Sequence, residues 1–455
     1  MAMKKYDVIV IGAGIGGLGA ALMLAHKGKH VLILEKNKFL GGRLMSYQKE
    51  GFIVDLGIHI ISQSFKGPLG QVLERVGKTC NIKFKLIRPI TSYKGETFLF
   101  PHDLKKRCGE KEFNAVMEAL GDIRSFSEEQ VSSYDEISTR DFFDKYIKDP
   151  LSKACINNIS TIYMCLPYWK TSAGEFMRCM RSEAKSKASG YPEGGCGAIT
   201  NMYVEAFKDF GGEILTGAEV TNIEIRDGGV RGVYVGEEYY EAEMIVSNAD
   251  IKGTMLKLVN KDKLPADYTN YVNNLEYSWT GPIMRLALDK VLTDVPMLTQ
   301  IGTTDPEGYY RDLEKGIVAD ELNFFMVSPS NFSSKVAPVG KQLINVGPPM
   351  PIETPASLKE DIKEGYFRTL EKYIPGFRDH IIWMEYIFID GLAKLIGEEG
   401  AGIGIGQTPT QSGKNRPPIK TPIDGLYIVG AEAGGYGVGI ELALNSAMEF
   451  IDNYT

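Results

Sequence analysis

Residues 7–35 read DVIVIGAGIGGLGAALMLAHKGKHVLILE, and this stretch decides the fold. A β-branched run, Val8–Ile11, ends on Gly12, Gly14 and Gly17. Leu18, Ala21, Leu22 and Ala25 follow at helical spacing, and a second apolar run, Val31–Leu34, ends on Glu35. The order strand, glycine turn, helix, strand, acid is that of a dinucleotide-binding βαβ unit. Gly12 permits the tight turn, Gly14 lets a pyrophosphate approach bare backbone, and Gly17 lets the helix pack close to the strand. The first turn of the helix offers unpaired N–H groups and a partial positive charge to phosphates. Glu35 stands 18 residues beyond Gly17, near the roughly 20-residue offset of an acid that accepts from ribose hydroxyls.

The 455-residue chain is too long for one core, which predicts two domains or three. Its apolar fraction of 44% and mean hydropathy of −0.13 are those of an ordinary globular protein. A net charge of −7 speaks against a surface for polyanions, so no nucleic-acid partner is expected. The six cysteines, at 80, 108, 155, 165, 179 and 196, form no C-x-x-C pair and no metal-like spacing with histidine, so no metal is expected. No cysteine lies beyond Cys196 and no histidine beyond His380, so a covalent link from the C-terminal segment to a nucleotide cofactor through either residue is excluded. Residues 8–25 carry no charge, but five glycines mark them as a buried βαβ unit rather than a membrane span. A cytoplasmic protein without a transmembrane helix is the expectation.

Beyond Glu35, Gly41–Gly42–Arg43 suits backbone passing close to a phosphate with a fork-shaped donor beside it. Phe52–Asp55 and Ile58–Ile61 read as short extended runs separated by Gly57. Together GAGIGG, Glu35, GGR and F-x-x-D-x-G-x-H resemble the FAD-dependent superfamily of amine oxidases and carotenoid (phytoene) desaturases. The resemblance implies non-covalent FAD. Its ADP half would lie on Gly12, Gly14, Ile15, Gly16, Gly17, Glu35 and Lys36, its pyrophosphate beside Gly41, Gly42 and Arg43, and its isoalloxazine near Gly57, Ile58 and His59.

At 191 the nucleotide-domain style returns with YPEGG, a helix through Ile199 and Phe207, and strands at 213–215 and 219–225. This stretch and IVSNAD (245–250) resemble the desaturase branch, which implies adenine contact at Val220 and a place at the cofactor for Asn248. The C-terminal strand, turn and helix would complete the site through Gly430, Glu432, Gly439 and Ile440. The turn itself, Ala433–Gly434–Gly435–Tyr436–Gly437, departs from the H-P-G-G-G frequent in desaturases, which leaves the substrate open.

The fold expected is α/β. A Rossmann-like FAD-binding domain with a parallel central sheet in three layers takes residues 1–65, 191–255 and 416–455. A discontinuous α+β substrate domain, an antiparallel sheet with a helical cap, takes residues 66–190 and 256–415. Tyr277, Trp279, Phe324, Phe325, Trp383, Tyr386 and Phe388 supply aromatic surface there. Gly400–Gly406 (GAGIGIG) follows no strand and opens no helix, so it reads as a mobile loop rather than a second nucleotide site. Two basic clusters, Lys105–Arg107 and Arg178 to Lys187, read as solvated faces, or as attraction to lipid headgroups or to an acidic substrate handle.

All the specific motifs concern FAD, so catalytic residues stay undetermined, with His59 and Tyr436 as candidates. Three functions fit. One is a desaturase-like enzyme moving hydride between an apolar isoprenoid or cyclic unsaturated substrate and flavin N5. NAD(P), a quinone or a carrier protein would serve as external electron partner, and peripheral membrane contact is an option. The second is an amine or amino-acid oxidase. The third is a non-enzymatic prenyl-binding escort protein of the same fold, against which Arg43, Glu432 and the glycine turn speak.

Overall fold

The computed structural model describes residues 4–347, 349–397 and 400–455. β1 (Lys4–Ile11), α1 (Ile15–His26) and β2 (Val31–Glu35) form the predicted unit, β1 pairing parallel to β2 with Val8 opposite Val31 and Ile11 opposite Leu34. Alternation along β1 serves two cores. Val8 and Val10 pack under α1 and the helices Gly197–Asp209 and Gly439–Tyr454. Ile9 and Ile11 face a second layer with Ile223, Ile251 and Met255. α1 itself is buried from Ile15 through Ala25, which is why its sequence is apolar on every side.

The first sheet runs 220–226, 229–235, 238–247, β1, β2, 213–216. Its centre is parallel, and Leu426–Ile428 adds in parallel beside the end of 238–247. Strands 220–226 and 229–235 join it as an antiparallel meander. The second sheet runs 381–387, 283–288, 342–347, 324–327, 297–301, 90–93, 96–98. It is antiparallel apart from one parallel junction, where 297–301 meets 90–93. Helices between 104 and 186 pack on this sheet in one shared apolar core.

Two sequence expectations are corrected here, and the basic clusters acquire local partners. Phe52–Asp55 does form a hairpin, but with Ser46–Lys49 across a turn at Glu50–Gly51; residues 58–61 make a single bridge, Ile61 to Gly190. Gly400–Gly406 is not a solvent loop. It is largely buried and bonded to the segment 276–279: Ser278 N–H donates to Gly404 O (2.8 Å), Gly402 N–H to Trp279 O (3.1 Å) and Gly406 N–H to Glu276 O (2.8 Å). The basic clusters are largely neutralised locally, Arg178 by Asp135 (2.6 Å) and Glu175 (3.1 Å), Arg181 by Glu128, Arg107 by Glu96 and Lys105 by Glu110. Among the described residues no helix is long and apolar enough to cross a membrane.

Candidate active site

A cavity of about 970 Å³ opens at the carboxyl ends of β1 and β2 and reaches the second sheet and the cap helices. Crevices at the carboxyl ends of parallel strands are where such folds take ligands. Its nucleotide end is built from backbone. Ile11, Gly12, Gly14, Ile15 and Gly16 line it, with Glu35, Lys36, Gly41, Gly42 and Arg43 opposite.

Local bonding explains why these segments converge. Gly41 N–H donates to Ala13 O (2.9 Å), tying the GGR stretch to the glycine turn. Glu35 accepts from Ala13 N–H (2.8 Å) on one oxygen, and from Asn37 N–H (2.9 Å) and Asn37 Nδ2 (3.0 Å) on the other. A carboxylate has about four acceptor positions; three are taken, and the fourth is open to a ribose hydroxyl. Ala218 N–H donates to Glu35 O (2.9 Å), which brings Ala218, Glu219 and Val220 into the wall.

Asn248 lines the cavity and also braces the glycines. Its Oδ1 accepts from Gly17 N–H, and a Cβ on Gly430 would lie 2.9 Å from its Nδ2. Gly17 does not face the cavity: a Cβ there would sit 2.3 Å from Gly12 O, so its absence lets α1 start hard against the turn. The residues thus fit a dinucleotide, with bare backbone and helix N–H groups for the phosphates and an oriented carboxylate for the ribose.

Further along, Gly57, Ile58 and His59 line the wall. His59 Nε2–H donates to Arg43 O (2.9 Å), and burial lowers its imidazole below the ordinary histidine range. The ring is therefore neutral at pH 7 and holds two cavity-lining segments together. Arg43 in turn donates from Nη1 to Ala401 O (3.2 Å). Gly439 and Ile440 line the cavity at the start of the C-terminal helix.

Gly430 and Glu432 stand behind the wall rather than in it. Glu432 is 1% exposed, accepts from Ile251 N–H (3.3 Å) and packs on Gly404. Tyr436 lies outside altogether, 54% exposed, because the turn aims its side chain outwards while Asn445 Nδ2 holds its carbonyl (2.9 Å). Among the predicted aromatics, Tyr277 and Phe325 reach the cavity, Tyr386 lines a smaller neighbouring one, and Trp279, Phe324, Trp383 and Phe388 pack in cores.

Several residues of the site carry no local sequence signal. Arg285, wholly buried, donates to Asp55 O (3.0 Å) and Leu56 O and pairs with Glu385 (3.3 Å), fixing the segment that carries His59. A lone arginine inside the run Ile283–Leu288 was the one available hint. Arg416 donates to Ala431 O (2.7 Å) and Gly434 O, and Glu175 accepts from Gly437 N–H (2.7 Å). These two side chains shape the last glycine turn. Tyr163, Cys165 and Glu441 line the cavity from the cap helix and the C-terminal helix.

Comparison with known proteins agrees with this geometry. Residues 15–288, more than half of the chain, match the family of flavin containing amine oxidoreductases. The chain is 28% identical to a chloroplastic prolycopene isomerase of Daucus carota, over 98% of this chain and 79% of that protein. It is 25% identical to a 4,4'-diapolycopene oxygenase of a Methylomonas species, over 94% of each. In fold it is similar to an oxidoreductase from Methanosarcina mazei (TM-score 0.78, 21% identity, 99% of this chain and 100% of that one). It is also similar in fold to a redesigned putrescine oxidase (TM-score 0.72, 15% identity, 99% and 98%). The chain belongs to the flavin-containing amine oxidoreductase family and is an FAD-dependent oxidoreductase.

Proposed function

We propose that this enzyme moves hydride between a C–H or C=C group of an apolar substrate, isoprenoid or cyclic and unsaturated, and its flavin. The observation that carries this reading is the wall beyond the nucleotide end. Ile58, Ile60, Ile61, Ile162, Met297 and Phe325 surround a space continuous with the FAD cradle, and such a wall favours a molecule with little to desolvate. The carotenoid-directed names of the relatives support the same substrate class.

Gly12, Gly14, Ile15, Gly16 and Glu35 would hold the ADP half of FAD, with Arg43 and Gly42 beside its pyrophosphate, and Ile58, His59, Gly439 and Ile440 along the flavin. When bound, the flavin supplies the two-electron redox chemistry. The chain's own part is to exclude water with the isoleucine wall, to keep His59 neutral by burial while Arg43 O fixes its ring, and to present the positive end of the helix Gly439–Tyr454 to charge that develops on the flavin. The electron partner is an external one, NAD(P), a quinone or a carrier protein, and contact with a membrane surface would suit delivery of an apolar substrate.

The competing reading is an amine oxidase. Anaerobic photoreduction of the holoenzyme followed by mixing with air separates the two. Slow reoxidation that a quinone or NAD(P)+ accelerates is the expected result, whereas rapid reoxidation by oxygen alone would favour the oxidase. Purified protein without a flavin spectrum would exclude both.

A further inference from the structure

One carboxyl in the cavity wall lies just beyond Gly439 and Ile440. Glu441 stands in the first turn of the helix Gly439–Tyr454, lines the cavity and is 5% exposed. It faces the cap. The groups within electrostatic reach of it are Tyr163 on the helix Pro150–Met164, and Cys179 and Glu183 on the helix Ala173–Ser186.

None of these offers a positive charge. The titratable group acting on Glu441 is another carboxyl, Glu183, itself pushed up by burial and held by the hydroxyls of Ser62 and Ser189. Arg178 of the same cap helix is committed to Asp135 and Glu175, and Glu175 also takes the Gly437 N–H. The backbone N–H of Glu441 itself, at the helix start, favours the charged form of its carboxyl, but burial outweighs it and Glu183 adds to burial, so the proton stays on. Burial pushes Glu441 well above the carboxylate range and Tyr163 well above the phenol range. Two neutral O–H groups therefore stand in a wall whose other members include Ile61, Ile87, Ile162 and Ile440.

A neutral carboxylic acid and a phenol each have a hydrogen bond to donate. A pure hydrocarbon would leave both donors unmatched away from water, and a protonated amine would need a carboxylate in place of the acid. A carbonyl or hydroxyl oxygen matches them. We propose that Glu441, together with Tyr163, forms the polar end of the substrate site, and that the ligand is an apolar unsaturated molecule carrying an uncharged acceptor oxygen at one end. This rests on the reading of the cavity as a site for an apolar unsaturated molecule and narrows it.

The test uses the holoenzyme and three probes of matched shape: β-ionone, the hydrocarbon lacking its oxygen, and the corresponding primary amine. Binding is read by perturbation of the flavin absorption and by the infrared C=O stretch of a protonated carboxyl, assigned to Glu441 by its loss in Glu441→Gln. The ketone is expected to bind about tenfold more tightly than the hydrocarbon, the worth of one good neutral hydrogen bond, and to shift the carboxylic band. Glu441→Ala should erase that preference, while Glu441→Gln, which keeps an N–H donor, should retain most of it. Equal binding of ketone and hydrocarbon, failure of all three to bind, or strongest binding of the amine with loss of the carboxylic band would each overturn the proposal. The infrared arm does not depend on the redox reading: fast reoxidation by air would sink the proposed function and leave the fate of Glu441 to the band.

Discussion

The pentapeptide GAGIG occurs twice, at 12–16 and at 400–404, and its two copies do different work in the same cavity wall. The first lies between β1 and α1. Gly12 adopts positive φ, and the following residues open a helix whose first N–H groups face the cavity. The second is not followed by a helix. Its backbone groups are taken up by 276–279, and Ile403 N–H donates to Ser278 Oγ (3.0 Å). Both copies bond within the protein, the first to β2, Glu35 and the GGR segment and the second to 276–279, but only the first opens a helix at the cavity. Between them runs the GGR segment, with Gly41 N–H on Ala13 O and Arg43 Nη1 on Ala401 O, so the same alanine carbonyl in each copy anchors the same short stretch. A glycine string has no fold of its own; the flanking strand and helix decide which of the two it becomes.

Substitution of Gly17, just after the first copy, and of Gly404, the last glycine of the second, should separate the two regions most strongly through stability. Gly17→Ala places a Cβ 2.3 Å from a backbone oxygen that α1 and β1 hold in place. It is expected to cost about 3 kcal/mol, at the upper end for overpacking, and to expel FAD. Gly404→Ala also strains a left-handed residue, at φ +91°, but its obstacle is the far end of the Glu432 side chain, 2.0 Å away, which can turn aside. About 1–2 kcal/mol is expected there, with FAD retained. Urea denaturation midpoints and flavin content after gel filtration check both. Equal flavin loss in the two variants would show that the second copy belongs to the cofactor cradle as much as the first.

Glu35→Gln probes what the first copy has and the second lacks, an acid at the end of the next strand. The amide oxygen can keep one N–H contact, but the charge that orients Ala13 and Asn37 is gone. Hydrogen bonds to charged groups contribute about 1.5–3 kcal/mol, so FAD affinity should weaken by roughly ten- to a hundredfold, measured by titrating apoprotein with FAD. An unchanged affinity would mean that the open acceptor position of Glu35 is not used by the ribose.

How much of this could be read in advance follows from how far apart the cooperating residues are. The cradle lies within 4–43, where strand, turn and helix signals are local, and the sequence places each of its glycines at a turn or a wall. The place of Glu432 behind the wall is not legible in the sequence because its neighbour there, Gly404, comes from a loop with no recognisable pattern. Tyr436 was misplaced because the direction of a turn side chain depends on Asn445, Glu175 and Arg416, none of which marks itself in sequence. Glu441 and Tyr163 share one cavity only because the cap helix and the C-terminal helix both wall it, and a glutamate in the first turn of a helix looks like an ordinary response to the helix dipole.

The smallest effect lies in the link that joins the two copies. His59 is neutral in the folded state and titrates near 6.5 when unfolded, so below that pH the unfolded chain binds a proton that the folded chain refuses. Stability must therefore fall as pH drops through 6.5 towards the lower folded value, by at most about 1.4 kcal/mol per pH unit. In the His59→Gln variant the new side-chain amide can still donate to Arg43 O but does not titrate. Wild type and variant should be similar in stability near pH 7.5, and the wild type should lose about 1 kcal/mol more on going to pH 5.5. Parallel losses would mean that His59 takes up its proton without breaking the Arg43 contact. The histidine would then be a candidate acid facing the flavin rather than a fixed neutral clamp, and the bridge from Ala13 to Ala401 would survive acidification unchanged.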